Sequence, residues 1–299
     1  MNWKAISFDW NQVRAFLATA EEGSLSAAAR VLGSTQPTVG RQVTALEEAL
    51  GVTLFERVGR SLAITGAGRD LLEHVQAMGD AASRVSMVAA GQSQDVAGTV
   101  TLTASDLLAA GYLPGVLAQL HKDAPGIRVE VVASNRVENL TRREADIAIR
   151  HVRPDQPDLI AREMVAGRVA FYASAAYVAR HGHPKGPANL AGHSFVGPRE
   201  TDQMLAFLTA QGIDIAPSQF SAASDSAVVM WELMRAGLGI IAGPAGYGAR
   251  FADVVEVLED IPEIRFPIWL VTHRELHTSR RIRIVFDALA QAFSRPVIA

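Results

Sequence analysis

Short polar side chains and one arginine line one face of the segment 36–50, and these are groups that can read DNA. The apolar residues of the segment recur at intervals of four, three and four, which predicts one stripe of a helix: Val39, Val43, Leu46 and Leu50. The opposite face is polar: Gln36, Thr38, Arg41, Gln42 and Thr44. Amides, hydroxyls and a guanidinium match the base edges and phosphates of a major groove. An ordinary surface helix has the same two faces, so both interpretations stay open on this pattern alone.

A second, shorter helix precedes this one across a tight turn. The stretch 26–32 is apolar-periodic, and the break 33–35 (Gly-Ser-Thr) separates it from the longer helix. Two helices joined in this way form a helix-turn-helix. Thr35 is a good N-cap, and Pro37 lies in the first turn, where its missing N–H costs nothing. These signals favour DNA binding over a generic surface helix.

A two-stranded wing is predicted after the longer helix. Gly51 ends that helix, a short strand follows, and Arg57 and Arg60 flank a basic turn. The stretch 62–64 can form the returning strand. Arginines at the tip of a wing are suited to phosphates or to the minor groove.

The motif GSLSAAARVLGSTQPTVGRQVTALEEALGVTLFER, followed by SLAITGAG, resembles the LysR-type transcriptional regulators. The resemblance extends along nearly the whole chain and implies that 36–50 is the recognition helix. The residues expected to contact DNA lie in the turn, the recognition helix and the wing: Ser34, Thr35, Gln36, Pro37, Thr38, Arg41, Gln42, Arg57 and Arg60. Gly40 departs from the family, which more often has serine there. A glycine inside a helix costs about 0.5–1 kcal/mol relative to alanine, and Gly40 also lacks a hydroxyl that could contact a phosphate.

Composition limits the class of protein. A chain of 299 residues is expected to contain two or three domains. It has no cysteine, which excludes disulfides, thiolate metal sites and sensing by thiol oxidation. Neither a signal-peptide pattern nor an apolar run of membrane-spanning length is present, so a soluble cytoplasmic protein is expected, with no membrane partner.

A long helix is predicted from Thr65 to about Ala90, spanning about 39 Å at 1.5 Å per residue. Its apolar residues alternate by four and three, as in a coiled coil: Leu71, Val75, Met78, Ala82, Val85 and Ala89. Packing on its own domain is the alternative that stays open. Basic and acidic residues are equal in number over 1–65, so the DNA-binding domain of one subunit, which we call a head, should bind DNA weakly. Two or more heads on one DNA would bind more tightly, so a homodimer or homotetramer is expected. The stretch 91–95 has the composition of a hinge.

Strands and helices alternate from Gly98 onward, which predicts parallel sheets with crossover helices. Strands are expected at 100–104, 127–133, 147–150, 168–173, 238–242 and 268–273. Helices are expected at 106–121, 136–144, 202–211, 225–236 and 278–293. The resemblance implies two subdomains, with the chain crossing between them near 161–168 and 262–267 and a cleft that binds a small molecule.

The expected fold is therefore α/β overall, with three parts. A winged helix-turn-helix domain occupies 6–64, a dimerising linker helix 65–92, and a periplasmic-binding-protein-like effector domain 93–299. Within the effector domain, subdomain I is placed at 98–164 and 267–299 and subdomain II at 165–266.

Six polar residues are candidates for contact with an effector: Ser105, Asp106, Ser134, Asn135, Arg150 and Ser224. Most of them end strands or precede helices, where ligands bind in α/β sheets. Ser105 precedes a helix whose free amides could hold a carboxylate, and a simple N-cap is an equal alternative. Asp106 beside it would disfavour an anionic effector.

No catalytic constellation emerges, and an enzyme is not expected. The glycine-rich run 236–243 lies between a helix and a strand, the wrong order for a phosphate-binding loop. Three histidines at 181, 183 and 193 lie in a Gly/Pro-rich loop with no nearby acidic partner in sequence, and no metal or cofactor is expected. A Gly-x-Ser-x-Gly motif is absent.

The sequence thus predicts a transcriptional regulator controlled by a small-molecule co-inducer. Its expected partners are promoter DNA, further copies of itself and RNA polymerase. The alternative is a solute-binding, receptor-like protein with no role on DNA.

Overall fold

The computed structural model describes residues 6–58, 61–91, 95–135 and 145–294. The chain forms two compact units, Met1–Ala89 and Ala90–Ala299. The helix predicted at 136–144 and most of the hinge predicted at 91–95 lie outside the described residues. Within these ranges, no helix is both long and apolar enough to cross a membrane.

The N-terminal unit consists of three short helices, a two-stranded wing and the start of a long helix. The elements are α1 (Trp10–Glu22), α2 (Leu25–Val31), α3 (Gln36–Leu50), β1 (Phe55–Val58), β2 (Ser61–Ile64) and α4 (Gly66–Gly91). A capping box begins α1, because the Asp9 carboxylate accepts from the amides of Asn11 and Gln12 and the Gln12 side chain accepts from the Asp9 amide. The apolar stripe of α3 packs against α1 and α2 through Val39 and Val43. The strands β1 and β2 pair antiparallel.

The long helix α4 has two different halves. Val75 is buried, and it packs with Leu71 against Phe16 and Leu46 of the same unit. Further along the helix Met78, Val85 and Val88 are exposed, with Val85 at 71%. The first part of the predicted seam therefore serves the core of its own unit, and the later part leaves apolar surface uncovered within the described chain.

The C-terminal unit consists of two parts. The first, which we call lobe I, is a five-stranded sheet together with the helices that accompany it. Its strands, in spatial order, are β4 (Ile127–Ala133), β3 (Gly98–Ala104), β5 (Ile147–Arg150), β13 (Trp269–His273) and β6 (Leu159–Glu163). The strand β3 is parallel to β4 and β5, while β13 runs antiparallel to β5 and β6. Its helices are α5 (Asp106–Gly111), α6 (Leu113–Asp123) and α10 (Arg280–Ala292). The single helix expected at 106–121 is wrong: the chain turns at Tyr112, and Pro114 lies in the first turn of α6.

The second part of this unit, lobe II, is built around β7 (Gly167–Ser174). Three strands pair with β7: β10 (Ile241–Pro244), β11 (Val254–Val257) and β12 (Arg265–Phe266). A separate parallel pair is formed by β8 (Phe195–Gly197) and β9 (Phe220–Ala223). The helices are α7 (Ala175–His181), α8 (Asp202–Ala210) and α9 (Ala227–Arg235).

The expectation of parallel sheets is wrong for the main sheet of lobe II, where every strand runs antiparallel to β7. Alternating strands and helices imply parallel pairing only when a helix connects two neighbouring strands. That condition holds for β8 and β9, which α8 connects, and for β3 and β4. The condition fails for β7, because α7 connects β7 to β8, which belongs to a different sheet. The α/β class and the arrangement of an N-terminal helix-turn-helix with a C-terminal binding domain are confirmed.

Candidate functional site

The N-terminal half of α3 presents the polar face predicted from the sequence. Thr35 is the N-cap, and its hydroxyl accepts from the Thr38 amide at 3.4 Å. Gln36 is exposed, and its side-chain oxygen accepts from the Ser26 hydroxyl at 2.9 Å, which fixes the amide on this face. Arg41 is exposed and, among the described residues, has no ion-pair partner. The exposed Gln36 and Arg41 side chains are therefore accessible to a ligand in a groove.

The remaining predicted DNA contacts lie around that face. Ser34 and Pro37 are exposed, and Gln42 is half-buried. Arg57 is exposed on β1. Arg60 lies outside the described residues. Contact of each residue with DNA stays a prediction.

A shallow polar groove of about 190 Å³ extends this face onto α1. Asn11 and Arg14 of α1 line it together with Ser34, Thr38 and Gln42. Sequence reasoning missed the α1 side of the groove because it did not identify α1. The Asp-x-x-Gln capping signal at residues 9–12 is the local feature that predicts this helix.

A larger cavity of about 640 Å³ lies between the two lobes of the C-terminal unit. Most of its wall is apolar: Leu107, Leu108, Val165, Val169, Ala227, Ala242, Pro244, Phe266 and Ile268. A few polar groups interrupt that wall: Ser105, Tyr112, His151, Arg168, Glu263 and Arg265. An apolar cavity with few polar groups is the usual form of a small-molecule site.

Two aromatic rings shape one side of the cavity. The Phe266 ring lies so close to Gly167 that no side chain fits at that position. The His151 ring meets Phe266 edge-on at 5.1 Å, and its Nδ1 donates to the Pro267 carbonyl at 3.1 Å. Burial lowers the pKa of His151, so the imidazole is neutral near pH 7.

Two arginines and a glutamate lie at the exposed edge of the cavity. Arg168 and Arg265 are direct partners in the β7–β12 ladder. Arg265 forms an ion pair with Glu263 at 3.1 Å. Arg168 is exposed and has no ion-pair partner within the described part of the chain. This edge of the cavity therefore carries two positive charges and one negative charge, a net charge of +1.

Two of the predicted effector residues bridge the lobes instead of lining the cavity. The Asp106 carboxylate accepts from the Ser226 hydroxyl at 2.6 Å. The Asn135 side chain accepts from the Asp106 amide at 3.1 Å and donates to the Asp225 carbonyl at 2.7 Å. We call these four residues the latch. Asp106 and Asn135 come from lobe I, and Asp225 and Ser226 precede α9 in lobe II.

The other predicted effector residues are dispersed. Ser105 lines the cavity and makes no side-chain capping bond to α5. Arg150 is buried, donates to the Thr103 hydroxyl at 2.9 Å, and has a pKa lowered by that burial. The Ser224 hydroxyl accepts from the Ser226 amide at 3.1 Å. Ser134 donates its amide to the Ala104 carbonyl at 2.9 Å. Of these, only Ser105 lines the cavity, and contact of the other three with an effector stays a prediction.

Two of the three histidines at 181, 183 and 193 have side-chain partners within the unit. His183 Nε2 lies 3.0 Å from a Glu259 carboxylate oxygen, so the expectation of no acidic partner is wrong for this residue. His193 Nδ1 lies 3.3 Å from the Tyr177 hydroxyl. In the part of the chain that the structure describes, no three histidine or acidic residues are grouped so as to hold a metal ion.

Comparison with known families assigns both units. Residues 10–69 match the model of the bacterial regulatory helix-turn-helix protein, lysR family. Residues 93–294 match the LysR substrate binding domain, which alone covers more than half of the chain. The chain belongs to the LysR family of transcriptional regulators. The receptor-like alternative without a role on DNA is wrong, because the helix-turn-helix match would then be unexplained.

Relatives of this regulator are themselves regulators and not enzymes. It is 32% identical over 234 residues to the HTH-type transcriptional regulator CrgA of Neisseria meningitidis serogroup B, covering 77% of each chain. It is 30% identical over 287 residues to the probable HTH-type transcriptional regulator LtrA of Klebsiella pneumoniae, covering 92% of each.

Solved structures agree on the fold. The structure of CrgA from Neisseria meningitidis has a TM-score of 0.60 and 26% identity, covering 96% of this chain and 99% of that one. Full-length CbnR complexed with the target DNA has a TM-score of 0.61 over 95% of this chain and 99% of that one. At 21% identity, CbnR shows only that the fold is shared.

Proposed function

We propose that this LysR-family regulator binds promoter DNA through α3, its turn and the wing, and that a small molecule in the cavity between the lobes modulates this binding. The cavity carries the proposal, because a mostly apolar cleft of about 640 Å³ inside a LysR substrate binding domain has the size and lining of a small-molecule site. The units of the proposal are the predicted 6–64, 65–92 and 93–299.

The DNA-binding unit needs more than one copy to be effective. Basic and acidic residues are equal in number over residues 1–65, so a single DNA-binding domain gains little from phosphate charge. The exposed apolar residues of α4, among them Met78 and Val85, supply a surface for pairing two subunits in a homodimer. Two heads must then match half-sites about 34 Å apart or a multiple of that distance. Assembly into a tetramer, contact with RNA polymerase and a cytoplasmic location belong to the same proposal.

Control by an effector follows from population shift. An occupant that binds one arrangement of the lobes more tightly shifts the equilibrium towards that arrangement. The largest possible shift in free energy equals the difference between its binding free energies for the two arrangements. A change of lobe arrangement that reaches the subunit contacts would alter the spacing of the heads, and with it DNA binding or bending.

The DNA-binding part is tested by fluorescence anisotropy on the DNA just upstream of the protein's coding region, with random DNA as competitor. Arg41→Ala should weaken specific binding about tenfold and relax sequence preference, since a bidentate base contact contributes about 1–3 kcal/mol. Arg128→Ala, which removes an exposed arginine from β4, is the charge-matched control. Equal specific affinity for Arg41→Ala and wild type would show that the recognition helix is misplaced.

The effector part is tested by screening small molecules for an effect on that DNA binding. Val165→Trp places an indole at the edge of the cavity, and Val152→Trp is the control, because Val152 is also exposed but does not line the cavity. A compound that acts on wild type and Val152→Trp but not on Val165→Trp supports the cavity as the effector site. A compound that acts equally on wild type, Val152→Trp and Val165→Trp would show that the effector binds outside the cavity. Ser105→Ala should blunt the response while leaving DNA affinity unchanged.

A further inference from the structure

We propose that the cavity binds an amphipathic monoanion, with an apolar body inside the cavity and one carboxylate or similar group held by Arg168 and Arg265. This inference rests on the proposed function only in taking the occupant of the cavity to be the effector. It adds the chemical class of that occupant.

The apolar body follows from the walls. The deep side chains of the cavity are aliphatic or aromatic, with Leu107, Leu108 and Ile268 from lobe I and Phe266 beside the lobe crossing. The partly buried His151 imidazole has a pKa lowered by desolvation and is neutral near pH 7, so it brings no charge to this wall. A polyol or a peptide placed here would lose its water without gaining matched hydrogen bonds, which is unfavourable.

The single anionic group follows from the arginine pair. Like charges directly opposite each other in a β-ladder destabilise it, and Arg168 and Arg265 occupy such positions. Glu263 compensates Arg265 at 3.1 Å, and no acidic residue in the described chain is ion-paired with Arg168. A carboxylate between the two guanidiniums would relieve this repulsion and accept bidentate hydrogen bonds.

The same glutamate limits the charge of the ligand. A second anionic group at this edge would approach the Glu263 carboxylate, which already uses Arg265. A cationic group would approach two guanidiniums against one carboxylate. The edge therefore favours a monoanion over a neutral molecule, and a neutral molecule over a cation.

Three probes with the same eight-carbon chain test this order: octanoate, 1-octanol and octylammonium, each used below its micelle concentration. Binding to the full-length protein is measured by isothermal titration calorimetry at low and high salt. Octanoate should bind about fivefold more tightly than octanol, or about 1 kcal/mol, as expected for partly exposed charges. Octylammonium should bind more weakly than octanol, and the preference for octanoate should shrink as salt rises.

Variants separate charge from packing. Arg168→Gln should reduce octanoate affinity about fivefold, to the level of octanol, and leave octanol binding unchanged. Arg128→Gln, an exposed arginine of β4 that is ion-paired with Glu130, should change neither. Equal binding of octanoate and octanol to wild type, or an equal loss of both in Arg168→Gln, would overturn the anion assignment.

The outcomes distinguish this inference from the proposed function. Octanol binding that Val165→Trp abolishes, without any preference for octanoate, would keep the cavity as a ligand site and reject the monoanion. Failure of all three probes to bind would also reject the monoanion. The test of the proposed function is independent of both results, because it compares the same tryptophan variant in a DNA-binding screen with no assumption about ligand charge.

Discussion

The latch between the lobes depends on one carboxylate, and removing it should loosen the lobes by an amount that the structure allows us to work out. Asp106 accepts a 2.6 Å hydrogen bond from Ser226 across the cleft. A hydrogen bond to a charged group contributes about 1.5–3 kcal/mol, and the lower end applies because the carboxylate is only half-buried. A negative charge at the start of α9 adds about 0.3–1 kcal/mol. Asp106→Ala should therefore reduce the free energy of lobe separation by about 2 kcal/mol.

Native-state hydrogen exchange measures that free energy at the latch. The Val228 amide lies 3.5 Å from the Asp106 carboxylate and belongs to the first turn of α9. A loss of about 2 kcal/mol should speed its exchange about 30-fold if opening of the lobes exposes it. Exchange in the wing of the other unit, for example at Phe55, should be unchanged and serves as the internal control. Unchanged exchange at Val228 would show that Asp106 does not hold the lobes together.

A double-mutant cycle with Ser226→Ala isolates the bond itself. Ser226 also caps α9 by accepting from the Val229 amide at 3.3 Å, so its replacement costs about 1 kcal/mol for that reason alone. The cycle cancels the capping cost, and unfolding in urea should give a coupling energy of about 1–2 kcal/mol between Asp106 and Ser226. Additive effects, within about 0.5 kcal/mol, would refute the reasoning from the 2.6 Å contact.

Further predictions concern helix glycines and pH. Gly40→Ala should raise the free energy of unfolding of the N-terminal unit by about 0.5–1 kcal/mol, because a Cβ there meets only an ordinary contact at 3.7 Å; a lower urea midpoint would contradict this. Gly68→Ala should instead lower it by about 1–3 kcal/mol, because a Cβ there would overlap the Leu54 carbonyl, and an equal gain in both variants would refute the contrast. Burial lowers the pKa of His151 and of His193, so the unfolded chain takes up protons first as pH falls. The stability they contribute is present above pH of about 6.5 and is lost as pH falls through the lowered values. Urea midpoints between pH 8 and 5 should show this loss and should vary less in His151→Asn; an identical pH profile would contradict it.

The helix-turn-helix could be predicted from the sequence because its signals are local. The cap at Thr35, the proline behind it and the terminating Gly51 gave α3 the bounds that the structure has, Gln36–Leu50. The start of α1 carries an equally local signal at Asp9, which predicts that a helix begins there, whereas the position of Arg14 beside α3 depends on how the two helices pack.

The cavity could not be predicted because its parts are distant in sequence. Arg168 and Arg265 become neighbours only through the pairing of β7 with β12, and hydrophobic alternation does not specify which strands pair or in which direction. The role of Asp106 was hidden for the same reason. From the sequence, a polar residue at the N-terminus of a helix is expected to be a cap or a ligand contact. The bridge between the lobes follows only from the folded structure, in which Ser226 lies across the cleft from Asp106.

The latch and the cavity share the helices α5 and α9, so on the proposed function a bound effector would contact the same two helices that the latch connects. Ser105 and Leu107 line the cavity on either side of Asp106, and Ala227 lines it directly after Ser226. On the proposed function, an occupant that displaces α5 relative to α9 would change the length of the Asp106–Ser226 bond. A contribution of about 2 kcal/mol changes the equilibrium between two lobe arrangements about 30-fold, which lies within the usual range of allosteric coupling. If Asp106→Ala kept the full response of DNA binding to a cavity ligand, the signal would have to pass through the crossing strands instead.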